Sequence, residues 1–485
     1  MRINDLLLNL RGHLCSFCNM QSVNNSGATL YRIMKKESSI NEKIASVVRN
    51  RFGLDLREHF VNMEISWRQD DPDRYDRIRE RFREHFKMHP NRESVKKRFY
   101  IDDEFSIYLQ SWHKYSEIPK MTDDISRYYP ICQLDEINRI RPPKNASDYL
   151  LAMMANAIAD NSRIKRIFLR RWEADPKNWS LSGYFDRSAF DEYTEKLPND
   201  KLEICRGIPA HFGFLSEPNG ACIRSSYGKV IVVSEVLKVY LYYMNLCLLK
   251  ALTDDFPEAE AFGALFIAVR TMLLLETPDF DLDPRGKLPP DLHALCTFMA
   301  ETQLQFVIGH EYAHALLGHL DDFSAYRATA MLIPSQSGES RDYYAPEHEQ
   351  EFAADASSLL QIKLPPKMRA QMANGATWFF LGLDLLQAAT KVLRPDMANE
   401  DTHPAPISRI RRLRGEILAD KNSSKIKKAG LYSEDEVAYW IERTNDIKKA
   451  MLEEWIPKHL ESLRVYGSTY LPVSRGPALV DRFDY

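Results

Sequence analysis

The stretch that most constrains this chain is a long apolar segment, from Pro290 to about Leu320, with polar side chains at its centre. Its apolar residues recur at helical spacing, so we predict one long helix. Within it stands the pentad His310-Glu311-Tyr312-Ala313-His314. Two imidazoles and a carboxylate are costly to bury in an apolar helix unless something compensates them. The fold must therefore supply a partner for these side chains.

The spacing of the two histidines suits a shared metal ion. On a helix of about 3.6 residues per turn, positions i and i+4 lie on one face, so His310 and His314 can both reach one tetrahedral zinc ion. Glu311 stands beside them, where it can accept a proton from a water that the zinc activates. The pattern predicts one Zn²⁺ ion, with Glu311 as the catalytic base.

A catalytic zinc ion needs a third protein ligand and keeps its fourth position for water. The candidate is Glu351, in the run Glu351-Phe352-Ala353-Ala354-Asp355, on a helix that we predict from Pro346 to about Ile362. Asp355 then lies one turn after Glu351 on the same face. We expect Asp355 to accept the free N–H of a ligand imidazole and so fix its tautomer.

Other side chains compete for the role of third ligand. His319 follows His314 by five residues, and it points away from the shared face if the helix continues. In the metzincin pattern, Gly and His come three and six residues after the second histidine, whereas Gly318 and His319 come four and five after it. That class is therefore excluded. Glu347 and His348 are alternatives if the second helix has another register.

Strand-like runs precede the long helix. The β-branched segments 221–224 and 229–233 flank a turn that ends in Gly228, which predicts a β-hairpin. Ser234 is a suitable N-cap for a helix that follows. Charges interrupt the apolar stretches 236–252 and 378–386, which fall short of the roughly 20 apolar residues that a membrane span needs. We therefore expect buried core helices and no membrane span.

Composition limits the classes of partner. A chain of 485 residues, 44% of them hydrophobic, can bury a sizeable core. Its 65 Lys and Arg nearly balance its 68 Asp and Glu, so no basic field predicts a nucleic-acid partner. Seven cysteines scattered along the chain make no disulfide framework, and the first residues lack the apolar run of a secretory signal. We expect a cytoplasmic protein.

Taken together, the motifs resemble a known family. The HExxH pentad, the ExxAD run at 351–355 and the later segments Thr402-His403-Pro404 and Ser408-Arg409-Ile410 are similar to gluzincin zinc metallopeptidases of the HtpX and CaaX-prenyl-protease type. The HEYAH form also resembles the soluble phage-exclusion Lit-type peptidases. The resemblance covers roughly residues 209–420 and includes the hairpin before the helix. It implies an intracellular metalloendopeptidase with a role in regulation or phage defence.

The resemblance also implies how a protein or peptide substrate binds. An extended peptide would pair with the edge strand formed by Ala221, Cys222, Ile223 and Arg224 and present its carbonyl group to the zinc ion. We suggest His403 as the donor that stabilises the tetrahedral oxyanion, with Arg409 as the alternative. An equally simple interpretation of His403 is a helix cap or a packing residue.

The predicted fold class is α+β, mainly α-helical, with a gluzincin-like core. Residues 1–200 form a helical region that regulates the enzyme or selects its substrate, with a charged helix at 73–87. Residues 201–420 form the metallopeptidase domain, and residues 421–485 a helical extension. A competing hypothesis is a non-enzymatic binding or regulatory protein on the same frame, although an intact Glu311 argues against it. Hydrolysis of a non-peptide substrate suits the hairpin less well.

Overall fold

The computed structural model describes most of the chain beyond residue 130 and selected segments before it. The described residues are 46, 49–50, 59–67, 98–100, 105–114, 127–129, 131–160, 162–175, 177–184, 186–213, 220–253, 256–273, 287–320, 348–395 and 403–464. The predicted charged helix at 73–87 lies outside them.

The chain divides into two compact units. Apart from the last two residues, one unit comprises Met1–Ile137 and Ile158–Ser180, and the other comprises Asn138–Ala157 and Leu181–Phe483. The domain limits predicted near residues 200 and 420 both fall within the second unit.

The first unit contains a three-stranded antiparallel sheet. Its strands are β1 (His59–Trp67), β2 (Arg98–Tyr100) and β3 (Phe105–Lys114), in the order β1-β3-β2. We predicted a helical region over residues 1–200, and these three strands were not part of that prediction. Apolar and polar residues alternate from Val61 to Trp67, and this period of two places successive side chains on opposite faces of a strand.

Helices dominate the remaining described residues. Between residues 134 and 206 they are α1 (Leu134–Ile140), α2 (Ala146–Asp160), α3 (Ser162–Ala174), α4 (Leu181–Tyr184), α5 (Ser188–Thr194) and α6 (Asn199–Arg206). From residue 235 they are α7 (Glu235–Leu252), α8 (Glu258–Met272), α9 (Pro290–Leu316), α10 (His348–Leu360), α11 (Pro366–Leu393), α12 (Pro406–Ala419), α13 (Ser423–Lys428), α14 (Glu434–Ala450), a π-helical turn (Met451–Trp455) and α15 (Ile456–Arg464). The predicted α+β class, mainly helical, is confirmed.

A second small sheet lies in the second unit. Its strands are β4 (Ala210–Gly213), β5 (Gly220–Ser225) and β6 (Gly228–Ser234), in the order β4-β6-β5. β5 and β6 form the predicted antiparallel hairpin, and β4 runs parallel to β6. Gly228 closes the turn with a φ of 124°, a value that residues with a side chain rarely adopt. Within the described residues, β5 pairs with β6 alone and so is an edge strand.

The predicted cap of α7 differs from what the structure shows. Ser234 occupies the N-cap position with an extended backbone, but its hydroxyl makes no capping hydrogen bond. That hydroxyl is buried, with no hydrogen-bond partner among the described residues. Ser234 is thus both the last residue of β6 and the N-cap of α7, so the helix follows the strand without a loop.

The core of the second unit is built around α9. This helix of 27 residues packs against α7, α10 and α11, and against β5 and β6. Asn245 of α7 and Gln303 of α9 form a reciprocal amide pair, with N–O distances of 2.9 Å and 2.8 Å, and each residue is only 1% exposed. The pair satisfies two buried polar side chains that would otherwise be costly.

The predicted core helices are also observed. The segment 236–252 lies within α7 and the segment 378–386 within α11, and most of their residues are buried. None of the helices in the described part of the chain combines the length and the apolar run that a bilayer crossing requires.

Candidate metal centre

The pentad lies near the C-terminal end of α9. His310, Glu311 and His314 are 6%, 4% and 6% exposed, so all three are buried. One helical turn separates the two histidines, as predicted, and their Nε2 atoms lie 3.0 Å apart. The helix therefore aims two imidazole nitrogens at the same point.

Helix α10 brings a carboxylate to that point. Glu351 is 1% exposed, with one oxygen 3.5 Å from His310 Nε2 and the other 3.3 Å from His314 Nε2. Ligand atoms that lie about 2.0–2.1 Å from one tetrahedral zinc ion are roughly 3.3 Å from one another. The three side chains thus have the mutual spacing of a metal-ligand set.

The hydrogen bonding of Glu351 supports the same conclusion. Neither of its buried oxygens accepts a hydrogen bond of good geometry from the described residues. A buried carboxylate in that state is costly unless a cation compensates it. His310, His314 and Glu351 can therefore hold a metal ion.

Asp355 lies where the sequence placed it, one turn after Glu351. Its Oδ1 is 2.9 Å from His310 Nδ1, which favours the tautomer that leaves the Nε2 lone pair for a metal. Burial lowers the pKa of His310, but the charges of Glu351 and Asp355 outweigh burial and raise that pKa above its usual value. The surroundings of His310 are thus anionic and favour a cation.

Arg409, on α12, is engaged by the same carboxylates. Its Nε and Nη2 donate to the two oxygens of Asp355 at 2.8 Å and 2.7 Å, and Nη2 lies 3.3 Å from Glu351. The residue is 2% exposed, and its guanidinium carbon lies 4.7 Å from the centre of the Phe380 ring. The guanidinium thus balances and orients two carboxylates through Nε and Nη2. Its buried Nη1 has no hydrogen-bond partner among the described residues, so the predicted roles of Arg409 in substrate and oxyanion binding stay predictions.

The contacts with Arg409 lower the pKa of Asp355 and of Glu351. Burial raises their pKa, but Arg409 and His310 together hold the pKa of Asp355 below its usual range. His310, His314 and Arg409 likewise hold the pKa of Glu351 well below its usual range. Both groups are therefore anionic at neutral pH.

His403 enters the site from the segment before α12. Its Nε2 lies 3.8 Å from an oxygen of Glu351, and 28% of its side chain is exposed. Burial of its ring, with the charge of Arg409, lowers the pKa of His403 to about 4, although Glu351 opposes the shift. The structure thus brings a neutral imidazole beside the candidate ligands, and its role as an oxyanion donor stays a prediction.

Glu311 faces the edge strand β5. A Cβ atom on Gly220 would lie 2.5 Å from Glu311 Cγ, so only glycine leaves room for this side chain. Burial raises the pKa of Glu311, while the charges of His310 and His314 and a hydrogen bond from the backbone N–H of Cys222 oppose the shift. The predicted catalytic base therefore lies between the metal-ligand set and the backbone of β5.

The predicted substrate strand, Ala221 to Arg224, forms most of β5. The side chain of Arg224 is directed elsewhere, because its Nη1 donates to the carbonyl oxygen of Leu320 at 2.9 Å. Lys229 of β6 lies 3.4 Å from the carbonyl oxygen of Ala315. Lys229 thus contacts a carbonyl group in the last turn of α9, where carbonyl groups lack helical partners, and Arg224 contacts the turn that follows the helix. The predicted main-chain role of Ala221, Cys222 and Ile223 stays a prediction.

The rival ligands take other positions. The helix was predicted to reach Leu320 but ends at Leu316, because Gly318 adopts a left-handed φ of 73°. His319 therefore does not point away, and its Nδ1 lies 3.0 Å from Nδ1 of His314. His348 is an exposed residue at the start of α10 and is not part of the buried group. Glu347 lies outside the described residues.

Comparisons with known proteins do not extend this picture. No family model, curated protein or solved structure matches this chain. The resemblance to gluzincin peptidases therefore rests on the motif residues themselves, at 310–314, 351–355 and 402–410, and stays a prediction.

Proposed function

We propose that this chain is a zinc-dependent metalloendopeptidase of the gluzincin type. The observation that carries the proposal is the buried triangle of His310, His314 and Glu351, with Glu311 placed between that triangle and an edge strand. Two imidazoles and one carboxylate are a donor set of catalytic zinc sites, which keep the fourth position for water or substrate.

The charge of the site also suits a divalent cation. Glu311, Glu351 and Asp355, when ionised, face one arginine, Arg409, so two negative charges remain if the histidines are neutral. Such an excess in a buried site is relieved by protonation or by a counter-ion, and a divalent cation brings two positive charges to the ligand atoms. Zn²⁺ supplies that charge together with the Lewis acidity that polarises a carbonyl group and lowers the pKa of water.

Glu311 carries the proton in the proposed reaction. Its carboxylate accepts a proton from the attacking water as the water oxygen bonds to the scissile carbonyl carbon. The same carboxyl group then donates that proton to the amide nitrogen as the carbon–nitrogen bond breaks. A pKa raised by burial brings Glu311 nearer to neutral pH, where one group can both accept and donate.

The edge strand favours an extended peptide as substrate. β5 runs beside Glu311, and strand addition at such an edge uses main-chain hydrogen bonds that depend little on sequence. A pure binding protein on the same frame has no need of a buried carboxylate beside its ligands. A role in regulation or phage defence stays a prediction.

The first experiment measures metal content of the full-length protein by mass spectrometry. We expect nearly one zinc per chain in the wild type and in Glu311→Gln, and little zinc in His310→Ala or Glu351→Ala. His293→Ala is the matched control, because His293 is an exposed histidine on the same helix. A wild type that binds no zinc after reconstitution would contradict the proposal.

The second experiment measures cleavage of an unfolded protein, such as reduced and carboxymethylated casein. Wild type and His293→Ala should cut it, and the chelator-treated protein should not. Glu311→Gln should retain zinc but lose nearly all cleavage, because the amide cannot accept the proton. Zinc binding without any cleavage by the wild type would favour the non-enzymatic hypothesis.

A further inference from the structure

The C-terminal end of α9 turns the chain back on itself just after His314. The N–H of Leu317 donates to the carbonyl oxygen of Ala313 at 2.9 Å, and the N–H of His319 donates to that of His314 at 3.2 Å. Gly318 lies between them in the left-handed conformation. A left-handed glycine followed by a bond to a carbonyl five residues earlier is the Schellman motif.

This motif brings His319 into contact with His314 twice, once through the backbone and once through the rings. The backbone bond fixes the position of His319 above His314, and the rings then meet through their Nδ1 atoms, 3.0 Å apart. Ring centroids lie 5.1 Å apart, with the planes at 68° to each other. Arg224 supports the same turn, because it bonds to the next carbonyl, that of Leu320.

The two candidate imidazole ligands therefore have different outer partners. His310 directs its Nδ1 to the carboxylate of Asp355, whereas His314 directs its Nδ1 to another imidazole. A histidine that binds a metal through Nε2 keeps its proton on Nδ1 and needs an acceptor there. A neutral imidazole offers such an acceptor through its unprotonated nitrogen.

We propose that His319 is a positioning residue for His314, accepting the Nδ1–H hydrogen bond that holds Nε2 of His314 towards the metal ion. The inference rests on the proposed metal site and adds to it a residue outside the set of ligands. The Schellman turn at Gly318 places His319 beside His314. His319 is not part of the group of possible ligand atoms, those of His310, His314 and Glu351, that lie within 4.8 Å of one another in the described residues.

The test measures affinity for Co²⁺ and Zn²⁺ by competition with a chromophoric chelator, on the full-length protein. His319→Phe removes the acceptor and keeps a ring, and we expect it to weaken binding by about 10- to 100-fold, as loss of such outer partners does. His319→Asn keeps an acceptor at a similar distance from the backbone and should restore affinity close to that of the wild type. The visible spectrum of bound Co²⁺ should shift in His319→Phe and not in His319→Asn.

Two glycine variants test the turn separately from the ring. Gly430 ends α13 with the same geometry, since its φ is 101° and the N–H of Leu431 bonds to the carbonyl of Ile426 at 3.3 Å. Gly318→Ala and Gly430→Ala therefore both place a side chain at a residue with a left-handed φ that ends a helix. Only Gly318→Ala should weaken metal binding, because only that turn carries His319.

The outcomes separate this inference from the proposed function. Wild-type affinity in His319→Phe would overturn the positioning role and leave the metal site intact. Equal weakening in His319→Phe and His319→Asn would also overturn it, since a hydrogen-bond acceptor at residue 319 would then not restore the affinity. A wild type that binds neither ion would overturn both the metal site and this role.

Discussion

The site has two sides that are built differently. The carboxylate side consists of Glu351, Asp355 and Arg409, which are at most 2% exposed. Arg409 forms a bidentate ion pair with Asp355 and a single contact with Glu351. The strand side consists of Gly220, Cys222 and Glu311, where one carboxylate lies against a strand backbone. The first side fixes charge beside the candidate ligands His310 and His314, and the second places main-chain groups near Glu311, the proposed catalytic base. On the proposed function, the carboxylate side would stabilise the metal site and the strand side would serve the reaction.

The largest expected effect comes from the carboxylate side. Arg409→Met leaves Asp355 buried without its counter-charge, and removal of one partner from a buried pair costs about 3–5 kcal/mol. We expect the free energy of unfolding, measured with urea in the presence of a chelator, to fall by that amount. Arg409→Lys keeps the charge but loses the bidentate contact, so it should fall between Arg409→Met and the wild type.

The control for this prediction lies on the same helix. Arg412 is half exposed and forms its ion pair with Glu349 at the surface, so Arg412→Met should change stability by less than about 1 kcal/mol. Equal losses in Arg409→Met and Arg412→Met would show that the carboxylate side is not a specially stabilised unit.

The next largest effect is expected on the strand side, where a substitution should lower the rate of peptide cleavage more than the stability of the fold. Gly220→Ala forces Glu311 to move, and a misplacement of about 1 Å in a catalytic group can cost about 100-fold in rate. We expect kcat/KM for peptide cleavage to fall by that order while metal content stays near that of the wild type.

Gly415→Ala is the matched control, because a Cβ on Gly415 would meet nothing within 4 Å. Its kcat/KM should stay at the wild-type value. If Gly220→Ala lost metal and rate together, the division of labour between the two sides would be wrong.

The smallest effect should come from the end of α9. Arg224→Met removes a hydrogen bond to the carbonyl of Leu320 and should lower the free energy of unfolding by about 1 kcal/mol. Peptide cleavage should stay close to the wild-type rate, because the guanidinium donates to the carbonyl of Leu320 in the turn after α9. A large rise in KM without loss of stability would instead support the substrate contact predicted from the sequence.

The parts of the site that the sequence predicted are those set by local geometry. Each pair stands at positions i and i+4, so a helix alone puts its two members on one face. The pairs are His310 with His314, and Glu351 with Asp355. The hairpin was equally local, because a turn ending in Gly228 joins two strands that pair with each other.

The parts that the sequence missed depend on contacts between distant elements or on a single glycine. The ion pair of Arg409 was missed because nothing in α12 itself shows that Asp355 of α10 receives the guanidinium. The end of α9 was placed too late, although Gly318 was the available signal for a left-handed stop. The sheet containing β1 and β3 was overlooked, although the alternation from Val61 to Trp67 has the period of a strand.

The amide pair between Asn245 and Gln303 has a consequence for the alignment of the site. α7 continues directly from β6, the partner of β5, and α9 carries His310 about two turns beyond Gln303. If α9 were shifted along its axis by one turn, about 5.4 Å, the buried amides of Asn245 and Gln303 would lose each other as hydrogen-bond partners. The pair therefore selects one axial position of α9 relative to the sheet. Two uncharged side chains buried in the core thus set the position of Glu311 along β5, although neither belongs to the candidate site.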